Sequence, residues 1–131
     1  MVAEQIEDIE SIFAEQPIQV LAVGNKKQPE FDKAKDTFER GFQCQIKGDY
    51  KQAIELYKDV AILCSNRYES YYNMALCYKK LQQVNDAIEH FEKAASLNRF
   101  YKPIFLHLAR LYSDKGDQVR STTNWTIFNY M

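Results

Sequence analysis

Several things are missing from this chain of 131 residues, and each absence excludes a class of function. No run approaches the ~18 consecutive apolar residues of a membrane-spanning helix, so no membrane span is expected. The three cysteines, Cys44, Cys64 and Cys77, form no Cys-x-x-Cys pair and are odd in number. They read as small packing residues of a reducing compartment rather than a disulfide framework. His90 and His107 stand alone, beside no cysteine and in no His-x-x-x-His spacing, so no metal or cofactor is expected. No Gly-rich phosphate loop, no Gly-x-Ser-x-Gly and no paired-carboxylate pattern is present, so catalysis is not expected. The net charge of −1 gives no general attraction to nucleic acid, and Lys26-Lys27 and Lys79-Lys80 are too few for a binding stripe. The acidic start, Met1 to Gln16, lacks the apolar core of a signal peptide and the arginines of a transit peptide. Asn124-Trp125-Thr126 matches a glycosylation acceptor without the secretion signal it would need. A cytoplasmic setting, intracellular and reducing, is the expectation, with association to an organelle or cilium left open.

What is present is apolar, aromatic and periodic. Apolar residues make up 46% of the chain and aromatic ones 14%, enough to build a core. Ile6, Ile9, Ile12 and Phe13 recur at helical steps among acids, which predicts a short amphipathic helix over 3–15. Pro17, Gly24, Asn25 and Pro29 then punctuate a linker over 16–30. Residues 1–30 carry six acids against two lysines, a charge of −4, which leaves +3 on the remainder. Helices are predicted near 31–46, 50–64, 68–81, 84–96, 102–114 and 118–129, with no alternation long enough for a strand. Asp49 and Asp117 are candidate N-caps, Asn66 with Glu69 a candidate capping box, and Pro103 suits the first turn of its helix. The domain division is an acidic helix and linker over 1–30 and a helical array over 31–131.

The array repeats. Gly48-Asp49 returns as Gly116-Asp117, Ala53-Ile54-Glu55-x-Tyr57 as Ala87-Ile88-Glu89-x-Phe91, and Tyr78 as Tyr112, all at multiples of 34 residues. A 34-residue period is that of a helix-turn-helix unit that cannot bury its apolar face without stacking on copies of itself. These residues resemble the tetratricopeptide repeat, and the stretch 68–101 fits best. Tyr71, Met74, Ala75, Tyr78, Ala87 and Phe91 stand at its motif places, with Arg99 where the pattern has proline. The stretches 34–67 and 102–131 match less fully: Ser121 and Trp125 replace the usual alanine and phenylalanine. The resemblance implies an all-α, right-handed superhelical solenoid of antiparallel helix pairs, with an extra helix at the N-terminus. Small residues such as Gly41, Ala75, Ala87 and Ala109 belong where paired helices cross.

The same resemblance implies a non-catalytic adaptor, a subunit or assembly factor of a larger complex that holds a partner helix or peptide in its concave groove. The groove places include Phe38, Phe42, Tyr72, Leu76, Lys79, Leu106 and Arg110, an apolar strip with a basic margin. The alternative is a chaperone that holds an apolar client segment, as the bacterial type III secretion chaperones do. Clamps for the acidic tail of heat-shock chaperones place cations and asparagines where this chain has Phe38, Phe42, Asn73, Pro103 and His107. Only Asn73 agrees, so a carboxylate clamp is not expected. The last segment, rich in aromatics, either packs inward or offers Trp125, Ile127, Phe128 and Tyr130 to a neighbour. The N-terminal helix has two candidate places. It either caps the outer side of the first repeat or lies in the chain's own groove, with its Ile6, Ile9 and Phe13 stripe on the apolar strip and its acids facing Lys79 and Arg110.

Overall fold

A computed structural model describes the backbone of residues 2–22 and 29–131, and the side chains from Ile9 to Ala22 and from Phe31 onward. Seven α-helices and no strand are found among the described residues: α1 (Val2–Glu15), α2 (Pro29–Ile46), α3 (Tyr50–Leu63), α4 (Tyr68–Lys80), α5 (Val84–Leu97), α6 (Lys102–Asp114) and α7 (Gln118–Asn129). The helices α3, α5 and α7 begin at steps of 34 residues, and so do α4 and α6. Neighbouring helices pack as pairs, α2 with α3, α4 with α5 and α6 with α7, and the pairs stack in order. The fold is an all-α helix-pair solenoid.

The turns inside the pairs explain why Gly and Asp recur together. At the end of α2, the Gly48 amide donates to the Gln45 carbonyl (3.0 Å) and the Asp49 amide to Cys44 (2.9 Å). This is a Schellman closure, which requires a left-handed residue just past the helix, and Gly48 supplies φ +86° at little cost. Asp49 then caps α3 through the Gln52 amide, and Asp117 caps α7 through the Arg120 amide. The middle pair has the same two bonds, Gln82 to Lys79 and Gln83 to Tyr78, but no glycine. Gln82 is forced to φ 61°, and Gln83 leaves the start of α5 without a side-chain cap. The repeat that fits its pattern best therefore has the most strained turn.

Two apolar clusters run through the stack. One joins Phe38, Ala53, Tyr57, Val60, Met74 and Cys77, and the other Tyr72, Leu76, Ala87, Phe91, Leu106 and Leu108. Gly41 is the smallest residue for a reason: a Cβ there would lie 2.9 Å from the ring of Tyr57. That ring cannot swing away freely, because it is fully buried and its hydroxyl donates to Gln45 (2.7 Å). Ser121, where the pattern has alanine, donates its hydroxyl to the Ala109 carbonyl across the helix pair (2.8 Å), so its burial leaves no unpaired donor.

Some sequence expectations are corrected. Asn66 does not cap α4; the N-cap position is Arg67, without a side-chain bond, and Glu69 turns elsewhere. The linker expected over 16–30 is irregular over Gln16 to Ala22 and packed against the array, and positions 23–28 fall outside the described residues.

Candidate functional site

The side of the solenoid built by α2, α4 and α6 is covered by the chain itself. From α1 the backbone runs along α6, α4 and then α2. Glu10 pairs with Lys102 (2.7 Å), Ser11 accepts from Arg110 (2.7 Å), and Glu15 pairs with Lys79. Past the end of α1, Ile18 and Leu21 join the apolar clusters, Leu21 in the same one as Phe38.

The central contact belongs to Asn73, on α4 and fully buried. Its Oδ1 accepts from the Ile18 amide and its Nδ2 donates to the Ile18 carbonyl, both at 2.8 Å, and Nδ2 also donates to the Tyr57 hydroxyl (3.2 Å). A side-chain amide can take both groups of one residue because they point to the same side in unwound, strand-like backbone. One turn earlier on the same helix face, Glu69 Oε2 accepts from the Ala22 amide (2.8 Å). At the other end, the Tyr72 hydroxyl donates to the Ala14 carbonyl (2.7 Å), and His107 Nε2 meets the same oxygen at 2.7 Å.

His107 stacks on Phe91, with ring centroids 4.6 Å apart and planes 9° from parallel. A carbonyl can only accept, so Nε2 carries the proton and Nδ1 is left to accept from Lys79 Nζ, 3.3 Å away. Burial, and then the Lys79 ammonium, push the imidazole pKa down to about 4. Burial also works against ionising Glu15, but the Lys79 ion pair prevails and holds its carboxyl below the ordinary 4.5. Burial drives the Tyr57 and Tyr72 phenols well above 10, so both stay neutral donors.

The structure sorts the residues expected in the groove. Phe38, Tyr72, Leu76 and Leu106 are buried in the clusters that also hold Ala14, Ile18 and Leu21, rather than forming an open strip. Phe42 is half-buried, Lys79 is paired, and Arg110 is exposed. The acids of α1 face Lys79 and Lys102, but its apolar stripe does not face the groove: Ile9, Ile12 and Phe13 are 65%, 63% and 57% exposed. Ile6 falls outside the described side chains. What enters the groove is Ala14, from the last turn of α1, and Ile18 and Leu21, from the stretch that reads from sequence as linker. Glu69 reads from sequence as half of a capping box, Asn73 as a lone match to a clamp place and His107 as a solitary histidine; their signal for this role is a set of polar residues on helix faces that stacking buries. At the far end, Phe128 is buried and Trp125 half-buried against it (centroids 5.9 Å), while Ile127 and Tyr130 are exposed. The last helix thus packs inward with one side and offers the other to solvent.

A stack of helix pairs whose inner face grips a peptide segment is the architecture of a protein-interaction scaffold. The sequence model of the tetratricopeptide repeat matches residues 68–101, which marks the α4–α5 pair as a tetratricopeptide repeat. The chain is similar to the photosystem I assembly protein Ycf3 of Prochlorococcus marinus, 28% identical over 109 residues that cover 81% of this chain and 61% of that protein. It therefore matches about three-fifths of that curated relative's own length. Among solved structures it resembles the type III secretion translocator chaperone SycD of Yersinia enterocolitica, with a TM-score of 0.70 and 16% identity over 79% of this chain and 77% of that one. It also resembles the second tetratricopeptide domain of Spaghetti (RPAP3) bound to an HSP90 peptide, with a TM-score of 0.71 and 19% identity over 77% and 95% of the two chains. No described helix is long and apolar enough to cross a membrane.

Proposed function

We propose that this protein is a non-catalytic adaptor, a subunit or assembly factor of a larger complex, that binds a partner helix or peptide in its concave groove. The observation that carries this reading is the groove's present occupant. Residues 14–22 are held by bonds from Asn73, Glu69, Tyr72 and His107 to their main chain, which is how a surface receives a peptide whose sequence is only partly specified. An assembly role is in line with the likeness to the photosystem I assembly protein. A second reading, a chaperone for an apolar client segment, draws on the exposed Ile9, Ile12 and Phe13 and on the likeness in fold to the secretion chaperone.

A carboxylate clamp remains disfavoured despite the likeness in fold to a domain that binds an HSP90 peptide. A terminal carboxylate needs several fixed cations, and the places here hold Phe38, Phe42, Pro103 and His107, while Asn73 is committed to Ile18. The free thiols of Cys44, Cys64 and Cys77 support a reducing, cytoplasmic setting. The test compares proteins that co-purify with the native chain and with a Phe42→Ala/Arg110→Ala variant of unchanged helical circular dichroism. A partner lost from the variant supports the groove as the interface; an identical set of partners moves the interface elsewhere.

A further inference from the structure

The chemistry of the present occupant specifies the ligand. The bonds from Asn73 to Ile18, from Glu69 to Ala22, and from Tyr72 and His107 to Ala14 all end on main-chain atoms, so they fix a backbone path without demanding a side chain. Side-chain selection comes from three places. Lys79 takes the carboxylate of Glu15, Ile18 packs between the two clusters, and Leu21 is 3% exposed beside Phe38. Among the described residues nothing lies over this segment from outside: Gln16, Gln19 and Val20 face solvent, as do Ile9, Ile12 and Phe13 of the helix that leads into it. Its removal uncovers the groove and no other layer.

We propose that residues 14–22 are an exchangeable pseudo-ligand, and that the groove takes in their place an unwound segment of a partner protein. That segment carries a carboxylate three residues before one apolar side chain, with a second apolar side chain three residues further on. This rests on the adaptor reading above and names its ligand. Docking is by backbone pairing to Asn73 and Glu69, an ion pair to Lys79, and burial of the two apolar residues against α4 and α2. The partner competes with the chain's own segment, so the closed form lowers its apparent affinity by the fraction of molecules that are open.

The experiment uses the full chain with Ile18→Asp and Leu21→Asp, which expels the segment and keeps every groove residue. The probe is a fluorescein-labelled peptide of this chain's own Ala14 to Ala22, followed by anisotropy. The expected result is saturable binding to the double variant, at least about tenfold tighter than to the native chain because the competing segment is gone. Adding Lys79→Ala weakens it several-fold, and a peptide with aspartate at both apolar places does not bind. A double variant with native helical dichroism and no saturable binding overturns the proposal. So does a double variant that fails to fold, since the segment is then an indispensable part of the core. A dimer of the native chain that the double variant abolishes also overturns it, by placing a second copy's segment in the groove. In any of these outcomes, a partner that still depends on Phe42 and Arg110 leaves the adaptor reading standing.

Discussion

Acidification should loosen this protein through His107. The imidazole is 1% exposed, stacked on Phe91, and bonded at both nitrogens. The charged groups that face it are Lys79 from α4, Glu15 from α1 and Arg110 from its own helix. A second ring proton would sit on Nδ1, against the Lys79 ammonium, in a site with little water to screen the two charges. The unfolded chain takes up this proton near the ordinary 6.5, the folded chain only near 4. The stability that rests on the neutral ring is therefore complete above pH 6.5 and is lost progressively as the pH falls from 6.5 to 4. At roughly 1.4 kcal/mol per pKa unit, the loss is about 2 kcal/mol at about pH 5 and roughly 3 kcal/mol at about pH 4. Glu15 works in the same direction but at lower pH, since its carboxyl titrates below 4.5. Urea melts of the native chain and of His107→Gln, each at neutral pH and at about pH 5, separate the two groups. Glutamine can still donate to the Ala14 carbonyl but does not titrate, so the variant should lose far less stability between the two conditions. Equal losses in both proteins would refute the assignment of a neutral, Nε2-protonated ring.

Other substitutions probe other parts of the argument. Gln82→Gly should raise stability by about 0.5–1 kcal/mol in a thermal melt, because φ 61° costs glutamine what it does not cost glycine. No gain would mean that the turn relaxes in solution. Ala87→Glu places a carboxylate at a fully buried helix crossing, and overpacking of about 1–3 kcal/mol plus an unpaired charge should abolish cooperative unfolding. A melt within a degree of native would displace the repeat register. Leu76→Ala should cost about 2–5 kcal/mol as a core truncation, and Phe42→Ala markedly less, since Phe42 is only half-buried. Equal costs in denaturant melts would show that the two residues share one environment.

The sequence by itself determined the repeat and nearly every element of the fold. Helical periodicity, capping and the left-handed turn are set by residues within a few positions of one another, so Gly48-Asp49, its copy at Gly116-Asp117 and Pro103 place helix ends to within about two residues. Stacking follows from the 34-residue step, because each unit offers its neighbour the same apolar face. The occupant of the groove was decided only in three dimensions. The Ile9 and Phe13 stripe marks an apolar face of α1 but not what that face meets, and in the structure it meets solvent. Asn73 finds its partner 55 positions away, and that partner is a peptide group, which every residue carries and no sequence pattern reveals. His107 reads as a solitary histidine until stacking brings Phe91, Lys79 and the end of α1 around it. Burial of polar groups depends on which distant surfaces meet, and only the folded chain holds those surfaces together.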